Sequence, residues 1–278
     1  MIKQRIHKME IFDIMLRNKI YFKKNIEVVR DNVRKQIICK DTGSTDTFFD
    51  FKTMKDSKGN GMHICSMVAR DVKKFIETNP SFDFDKYPVS ISPQTNIINI
   101  KHILSHPNYD AKAIDINSCY WNVAFKLGFI SAKTHAYGLT NNNWKLARNI
   151  SIGALAKVLI VEDYTDGILI GRKRKEKDLK IRQINAWIKW SVYDMMVKLI
   201  KLLDNKFYMI FTDCIYIDLQ NEQIAKDFFT SYGLDYKIKH TFIDEIENGY
   251  IHWQYAGEGD KIHSMLIAKN NTFDLNKL

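Results

Sequence analysis

The sequence predicts an α+β fold, and three patterns in its second part carry that prediction. A short apolar strand ends beside Asp115, and a long run of apolar residues at helical spacing covers 178–203. Two pairs of apolar runs, each separated by turn-forming residues, are typical of β-hairpins. The order of strand, helices, hairpin and helix favours an antiparallel sheet packed on helices.

The first part of the chain, residues 1–110, is predicted to be a small N-terminal region of unknown role. Residues 1–40 have the composition of a helix that runs into a strand at 35–39. Turn formers fill 41–61 and predict a loop or hairpin, and apolar spacing predicts a helix over 62–79. Prolines mark 80–107 as an extended connector with one short helix.

The second part, residues 111–278, is more strongly patterned, and strand 112–116 is expected to join the last hairpin in one sheet. Its predicted elements are strand 112–116, helix 120–130, helix 144–157, a hairpin turning at 165–167, helix 178–203, and a hairpin over 207–219 with Thr212, Asp213 and Cys214 at its tip.

The composition is globular with an excess of positive charge. The 278 residues contain 42 Lys and Arg against 32 Asp and Glu, a formal net charge of +10, and 45% are hydrophobic. Such an excess favours polyanionic partners, nucleic acid first and an anionic membrane surface second.

Several classes of protein do not fit the sequence. The N-terminus carries charges throughout, so no secretory signal is expected. No stretch approaches the roughly 20 apolar residues that a membrane helix needs. The four cysteines are scattered without a CxxC pair, which argues against a disulfide framework or a zinc ribbon. We therefore expect a cytoplasmic protein with no membrane partner.

Two carboxylates occupy a special kind of position. Asp115 lies at the end of an apolar strand, and Asp213 lies at the tip of an apolar hairpin. If these elements pair, both carboxylates project from one end of the sheet, where their repulsion calls for a cation. Two divalent ions bridged by carboxylates are what phosphoryl transfer uses. The alternative is that both are ordinary turn-forming aspartates.

The residues around each acid carry a resemblance to a known family. Residues 115–121, Asp-Ile-Asn-Ser-Cys-Tyr-Trp, resemble the first motif of family B DNA polymerases, Asp-x-x-Ser-Leu-Tyr-Pro, most closely in the protein-primed branch of phages and linear plasmids. Residues 145–153 resemble the second motif, Lys-x-x-x-Asn-Ser-x-Tyr-Gly. Residues 211–217 are similar to the third, Asp-Thr-Asp-Ser followed by an apolar strand. The three motifs come in the family's order.

The resemblance implies a strongly minimised polymerase. Residues 111–278 would form a polymerase-like palm, with reduced fingers at 141–157 and a small thumb-like C-terminal part at 221–278. The 30 residues between Asp115 and Lys145 leave room for little more than one fingers helix. Residues 1–110 show no recognisable exonuclease motif.

The resemblance also implies roles for single residues. Asp115 and Asp213 would be catalytic and would hold two Mg²⁺ ions, with Mn²⁺ as an alternative, assisted by the backbone carbonyl of Ile116. Tyr120 would exclude a ribose 2′-hydroxyl, and Lys145 would contact the triphosphate. The nucleotide-binding set would be Ile116, Ser118, Tyr120, Lys145 and Asn149.

DNA contacts are implied at Gly153 and Thr212. The densest basic run of the chain follows the first hairpin, and it would track DNA phosphates through Arg172, Lys173, Arg174 and Lys175. Each feature also has a plainer interpretation: a surface Lys145, a core Tyr120, a packing Gly153 and a solvated charged loop.

The implied activity is that of a DNA polymerase, which transfers a nucleotide from a deoxynucleoside triphosphate to a primer 3′-hydroxyl on a DNA template. Its partners would be primer-template DNA, the nucleotides and a terminal or other replication protein, in a bacterial host cytoplasm if phage or plasmid genes encode it.

Two alternatives stay open. A degenerate polymerase fold that binds DNA as a replication or virion accessory protein is motivated by Phe211, Ile150 and Ile152, which replace motif residues. A template-independent nucleotidyltransferase or primase keeps the chemistry and changes the substrate.

Overall fold

The structure is a computed structural model that describes residues 26–31, 36–41, 47–50, 61–105, 110–141, 144–165, 168–247, 250–256 and 262–268. It is α+β, as the sequence predicts. The described helices are α1 (Gly61–Thr78), α2 (Ile100–Ser105), α3 (Cys119–Lys126), α4 (Ala132–Leu139), α5 (Lys145–Gly153), α6 (Leu179–Leu202) and α7 (Glu222–Ser231).

The strands form two antiparallel sheets of order β3-β2-β1-β6-β7 and β12-β11-β10-β5-β9-β8-β4. In chain order the strands are β1 (Ile26–Asp31), β2 (Gln36–Asp41), β3 (Thr47–Asp50), β4 (Asn96–Ile98), β5 (Asp110–Ile116), β6 (Val158–Thr165), β7 (Ile168–Glu176), β8 (Met209–Phe211), β9 (Cys214–Asp218), β10 (Tyr236–Glu247), β11 (Tyr250–Ala256) and β12 (Ile262–Ala268).

The chain divides into two compact units, and each sheet belongs to one of them. The first unit takes its described residues from 1–89 and 124–187, and the second from 90–123 and 188–278. The chain therefore passes from one unit to the other three times: between residues 89 and 90, within α3 and within α6.

The first unit combines the five-stranded sheet with helices. Helix α1 forms because its apolar residues recur at helical spacing, and this face is buried through Ile64, Val68 and Val72. The helix packs against α4 and α5. Ser131 caps α4 by accepting a hydrogen bond from the Thr134 N–H, while its own hydroxyl donates to Asp71 on α1 at 2.7 Å.

The second unit is built on the seven-stranded sheet, whose two faces differ. On the core face the β-branched residues Ile114, Ile116, Ile215 and Ile217 are all at most 2% exposed. The opposite face carries Asp115, which is half-buried at the end of β5. Ala111 and Ala113 share that face and are buried, so the Asp115 face opens to solvent only toward the end of β5.

Most predicted elements are confirmed: the helices over 62–79, 144–157 and 178–203, the strand over 112–116 and both hairpins. The predicted pairing of strand 112–116 with the last hairpin is also confirmed, because β5 pairs with β9.

The strand predicted at 35–39 is confirmed as β2, whereas the helix predicted before it is wrong over 26–31, where the chain forms β1 and pairs with β2 and β6. The β-branched residues Ile26, Val28 and Val29 favour a strand there. Residues 1–25 and most of 41–60 lie outside the described residues. Among the described helices, none is long and apolar enough to span a membrane.

Candidate active site

Pairing of β5 with β9 brings the two predicted acids together. Asp115 lies directly opposite Cys214 in the register, and Cys214 follows Asp213 in the chain. The N–H of Ile116 donates to the backbone carbonyl of Asp213 at 3.2 Å. Ile116, which directly follows Asp115, is thus hydrogen-bonded to the backbone of Asp213. We call this end of the sheet, with Asp115 and Asp213, the carboxylate end.

The turn that carries Asp213 is a two-residue hairpin loop. Phe211 pairs with Cys214, so the loop consists of Thr212 and Asp213 alone, and Cys214 belongs to β9 rather than to the predicted tip. Thr212 has a left-handed backbone with φ of 62°. Its N–H donates to the carbonyl of Thr95 at 2.7 Å. The loop is therefore fixed by hydrogen bonds to the segments before β4 and at the end of β5.

A second fixed turn follows Asp115. Ser118 has φ of 48°, again left-handed, and the next residue begins α3. The N–H of Asn117 donates to the carbonyl of Asp235 at 2.8 Å. The Asn122 side chain donates to the Asn117 carbonyl, also at 2.8 Å. These contacts connect the first motif to α3 and to the segment that enters β10.

Two thiols and a phenol lie in the field of the carboxylate pair. Burial raises the pKa of Cys214 to about 12, and Asp115 and Asp213 add to the rise. Burial also raises the pKa of Cys119 well above its ordinary value, with contributions from Asp213 and Asp115. The pKa of Tyr120 is raised by burial and then by Asp213. Burial is thus the main cause of all three pKa rises, and the nearby carboxylates add to it.

Lysines on β10 border the same face of the sheet. Lys237 lies directly opposite Asp115, and Lys239 lies opposite Ala113, two residues along β5. Directly paired residues of antiparallel strands point to the same face, so both lysines share the face of Asp115. Both are exposed, and Lys239 lowers the pKa of Cys214 slightly against the larger effects of burial and the carboxylates. The acidic Asp115 therefore lies beside the basic side chains of Lys237 and Lys239 on one face of the sheet.

The carboxylate end fits a hard divalent cation such as Mg²⁺. Its donors are carboxylate oxygens, and both acids lie near enough to Cys119 and Cys214 to add to the pKa rise that burial causes in these thiols. No group of three or more His, Cys, Asp or Glu that could hold a metal is found in the described part of the chain. Two carboxylates suffice for Mg²⁺ when substrate phosphates and water complete its shell.

The residues predicted from the second motif lie on α5 in the other unit. Lys145 and Asn149 are exposed and Gly153 is half-buried, and their spacing of four places them along one stripe of the helix. Ile150 and Ile152 are buried at 9% and 4% exposure. The motif positions that this chain replaces by isoleucine therefore belong to the core.

The predicted basic run is part of a strand. Arg172, Lys173, Arg174 and Lys175 lie within β7, which extends to Glu176, whereas the sequence suggested that the run follows the hairpin. Every residue of β7 except Gly171 is exposed. β7 is also the last strand of its described sheet. We call β7 with these four residues the basic strand.

Acidic neighbours pair with part of the basic strand. The Nε of Arg172 lies 3.6 Å from Glu162, the Nζ of Lys173 lies 3.6 Å from Asp163, and the Nε of Arg174 lies 2.6 Å from Glu176. The cationic side chains of these pairs are 64–77% exposed and can therefore exchange their partners for other anions, whereas the Glu162 side chain is only 8% exposed. Lys175 forms no ion pair with any residue that the structure describes.

Sequence reasoning left some site residues without a role. None of the three motifs contains Lys237 or Lys239, and only their sheet register places them beside Asp115. Thr95 and the two thiols carried no signal, because their proximity depends on strand pairing. Comparisons of the chain with protein-family models, with curated proteins and with solved structures found no match.

Proposed function

We propose that the protein is a minimal family B-like DNA polymerase, a metal-dependent nucleotidyltransferase that acts on primer-template DNA. The single observation that carries this proposal is the meeting of Asp115 and Asp213, from two separate sequence motifs, at one end of an antiparallel sheet. In this proposal the seven-stranded sheet is the palm and α5 is the fingers element.

Each residue has a definite task in the proposed reaction. Asp115, Asp213 and the Ile116 carbonyl would hold two Mg²⁺ ions, and the chemistry that bound Mg²⁺ would supply there is activation of the attacking 3′-hydroxyl and stabilisation of the leaving group's charge. Tyr120, in the field of Asp213, would lie under the incoming sugar. Lys237 and Lys239 would contact phosphates on the face of Asp115. Lys145 and Asn149 would present one exposed helical stripe to the nucleotide.

Primer extension tests the proposal. We expect Asp115→Asn and Asp213→Asn each to reduce extension by about 10³-fold or more, because each removes several kcal/mol of transition-state stabilisation. Asp227→Asn is the matched control, since Asp227 is an exposed acid on α7 that accepts a hydrogen bond from Gln223. Extension that survives either of the first two substitutions contradicts the assigned roles.

A protein that binds DNA without catalysis is the second candidate. It is favoured by Phe211, which is 45% exposed where the third motif has an acid, and by the core positions of Ile150 and Ile152. DNA binding without nucleotide-dependent Mn²⁺ uptake would support this candidate. Extension that persists without a template would instead indicate a template-independent nucleotidyltransferase or a primase.

A further inference from the structure

Disfavoured backbone conformations flank both acids of the carboxylate end. Among the described residues, four other than glycine have positive φ: Ser118, Asp204, Asn205 and Thr212. Thr212 immediately precedes Asp213, and Ser118 follows Asp115 by three residues. For a β-branched residue such as threonine, a left-handed backbone is a true outlier.

A hairpin alone does not call for threonine at this position. Two-residue hairpin loops with a positive φ at the first loop residue usually take glycine there. This chain has Thr212 instead, and surrounding contacts hold the strained conformation. The Thr212 N–H donates to Thr95, and the Asp213 carbonyl accepts from Ile116. Strained residues held in this way cluster at functional sites.

We infer that Thr212 is a positioning residue whose left-handed backbone fixes the direction in which the Asp213 carboxylate leaves the loop. The inference rests on the proposed function, because a pair of cations is what requires Asp213 to meet Asp115. Threonine restricts the backbone to a small left-handed region, since its Cβ excludes the surrounding angles. Glycine at 212 would remove that restriction and let the following peptide rotate. The carboxylate would then sample directions that do not face Asp115.

The structure supplies a matched control for this inference. Asp204 has φ of 50°, close to that of Thr212, and lies just after the end of α6. Its side chain is 86% exposed and lies 3.9 Å from the Nζ of Lys206. A change to glycine relieves the same kind of backbone strain at both positions. Only Thr212 directly precedes an acid of the carboxylate end.

The experiment titrates each purified full-length variant with Mn²⁺ and follows the free ion by electron paramagnetic resonance. We expect Thr212→Gly to weaken Mn²⁺ binding by about tenfold, because a change in a residue that positions a metal ligand typically lowers metal affinity by at least that factor. Asp204→Gly should bind within about twofold of the wild type. Thr212→Asn should also remain within about twofold, because asparagine tolerates the left-handed region and keeps a Cβ.

Stability is measured on the same samples. Relief of strain should raise the melting temperature of Thr212→Gly by about 2–4 °C. Asp204→Gly should gain less, because aspartate, like asparagine, tolerates the left-handed region. A purely structural role for Thr212 would leave Mn²⁺ affinity unchanged, so affinity and stability should move in opposite directions only at 212. A lowered melting temperature for Thr212→Gly would overturn the premise of strain.

Three further results would overturn the inference. Thr212→Gly could bind Mn²⁺ as tightly as the wild type. Thr212→Asn could lose affinity as far as Thr212→Gly does. The wild type and Asp213→Asn could bind Mn²⁺ equally, or the wild type could bind none. The last result would appear before any change at 212 and would refute the proposed function itself, whereas the first two leave it intact.

Discussion

The carboxylate end and the basic strand carry opposite charges and are built in different ways. Asp115 and Asp213 are half-buried, and backbone hydrogen bonds with Ile116 of β5 and with the Thr95 carbonyl fix the loop that carries Asp213. The basic strand is exposed along almost its whole length, and so are the cationic side chains of its ion pairs. In the carboxylate end, hydrogen bonds fix the backbone that carries Asp213. The basic strand supplies positive charge on exposed side chains whose positions are not fixed in the same way. Chemistry requires the former, and attraction of a polyanion requires only the latter.

The largest expected effect concerns stability. Ile215 lies beneath the carboxylate end at 0% exposure, whereas Ile170 on the basic strand is 64% exposed. We expect Ile215→Ala to lower the free energy of unfolding by about 2–5 kcal/mol, because it leaves a cavity. Ile170→Ala should change it by no more than about 0.5 kcal/mol. Urea denaturation measures both, and equal costs would remove the distinction between the regions.

The next effect concerns salt-dependent DNA binding. Replacing the four cations of the basic strand by glutamine should remove about four phosphate contacts and reduce the salt slope by about 3.6. Wild-type affinity should therefore fall about 150-fold further than that of the variant between 50 and 200 mM salt. The variant carries glutamine at Arg172, Lys173, Arg174 and Lys175.

Fluorescence anisotropy with labelled duplex DNA provides the measurement, and a variant of equal charge loss is its control. That control carries glutamine at the exposed lysines Lys73, Lys74, Lys198 and Lys201. An identical slope change in the control would show that net charge, and not the basic strand, determines binding.

The smallest effect concerns the Cys214 thiol. Since its pKa is about 12, the rate of alkylation should rise about tenfold for each pH unit between pH 8 and 10 as more thiolate forms. Asp115→Asn removes one raising charge, lowers the pKa of Cys214 and should speed alkylation by a factor between about two and ten at fixed pH. Burial, the main cause, stays in place.

Mass spectrometry of iodoacetamide-treated protein follows Cys214 by peptide. Half-exposed Cys65 on α1 is the internal reference, because it belongs to the other compact unit. If Asp115→Asn left the alkylation rate of Cys214 unchanged, the Asp115 carboxylate would not raise the pKa of this thiol.

Much of the fold follows from local patterns in the sequence. Helix α6 and the β8–β9 hairpin were predictable, because their apolar residues recur with the periods of helix and strand. Strand β7 was partly missed, since a strand exposed on both faces has no alternation to reveal it. The strand β1 was misread as helix because its neighbouring lysines and arginines resemble a charged helical surface.

The candidate site was predictable only in part. The motif positions named Asp115 and Asp213 without reference to the fold. The positions of Lys237 and Lys239 depend on the register of β10 against β5, which distant parts of the chain determine together. The left-handed backbone of Thr212 was hidden as well, since threonine ordinarily signals an extended conformation.

The position of β7 at the margin of its described sheet has a consequence for assembly. An edge strand exposes unpaired backbone N–H and C=O groups, which in many proteins can pair with a strand of a second copy. Pairing of β7 with β7 of a second copy would place Arg172, Lys173, Arg174 and Lys175 of the two copies next to each other. Coulomb repulsion between them opposes that contact. The residues proposed to attract a polyanion would thus also discourage fibrous self-association.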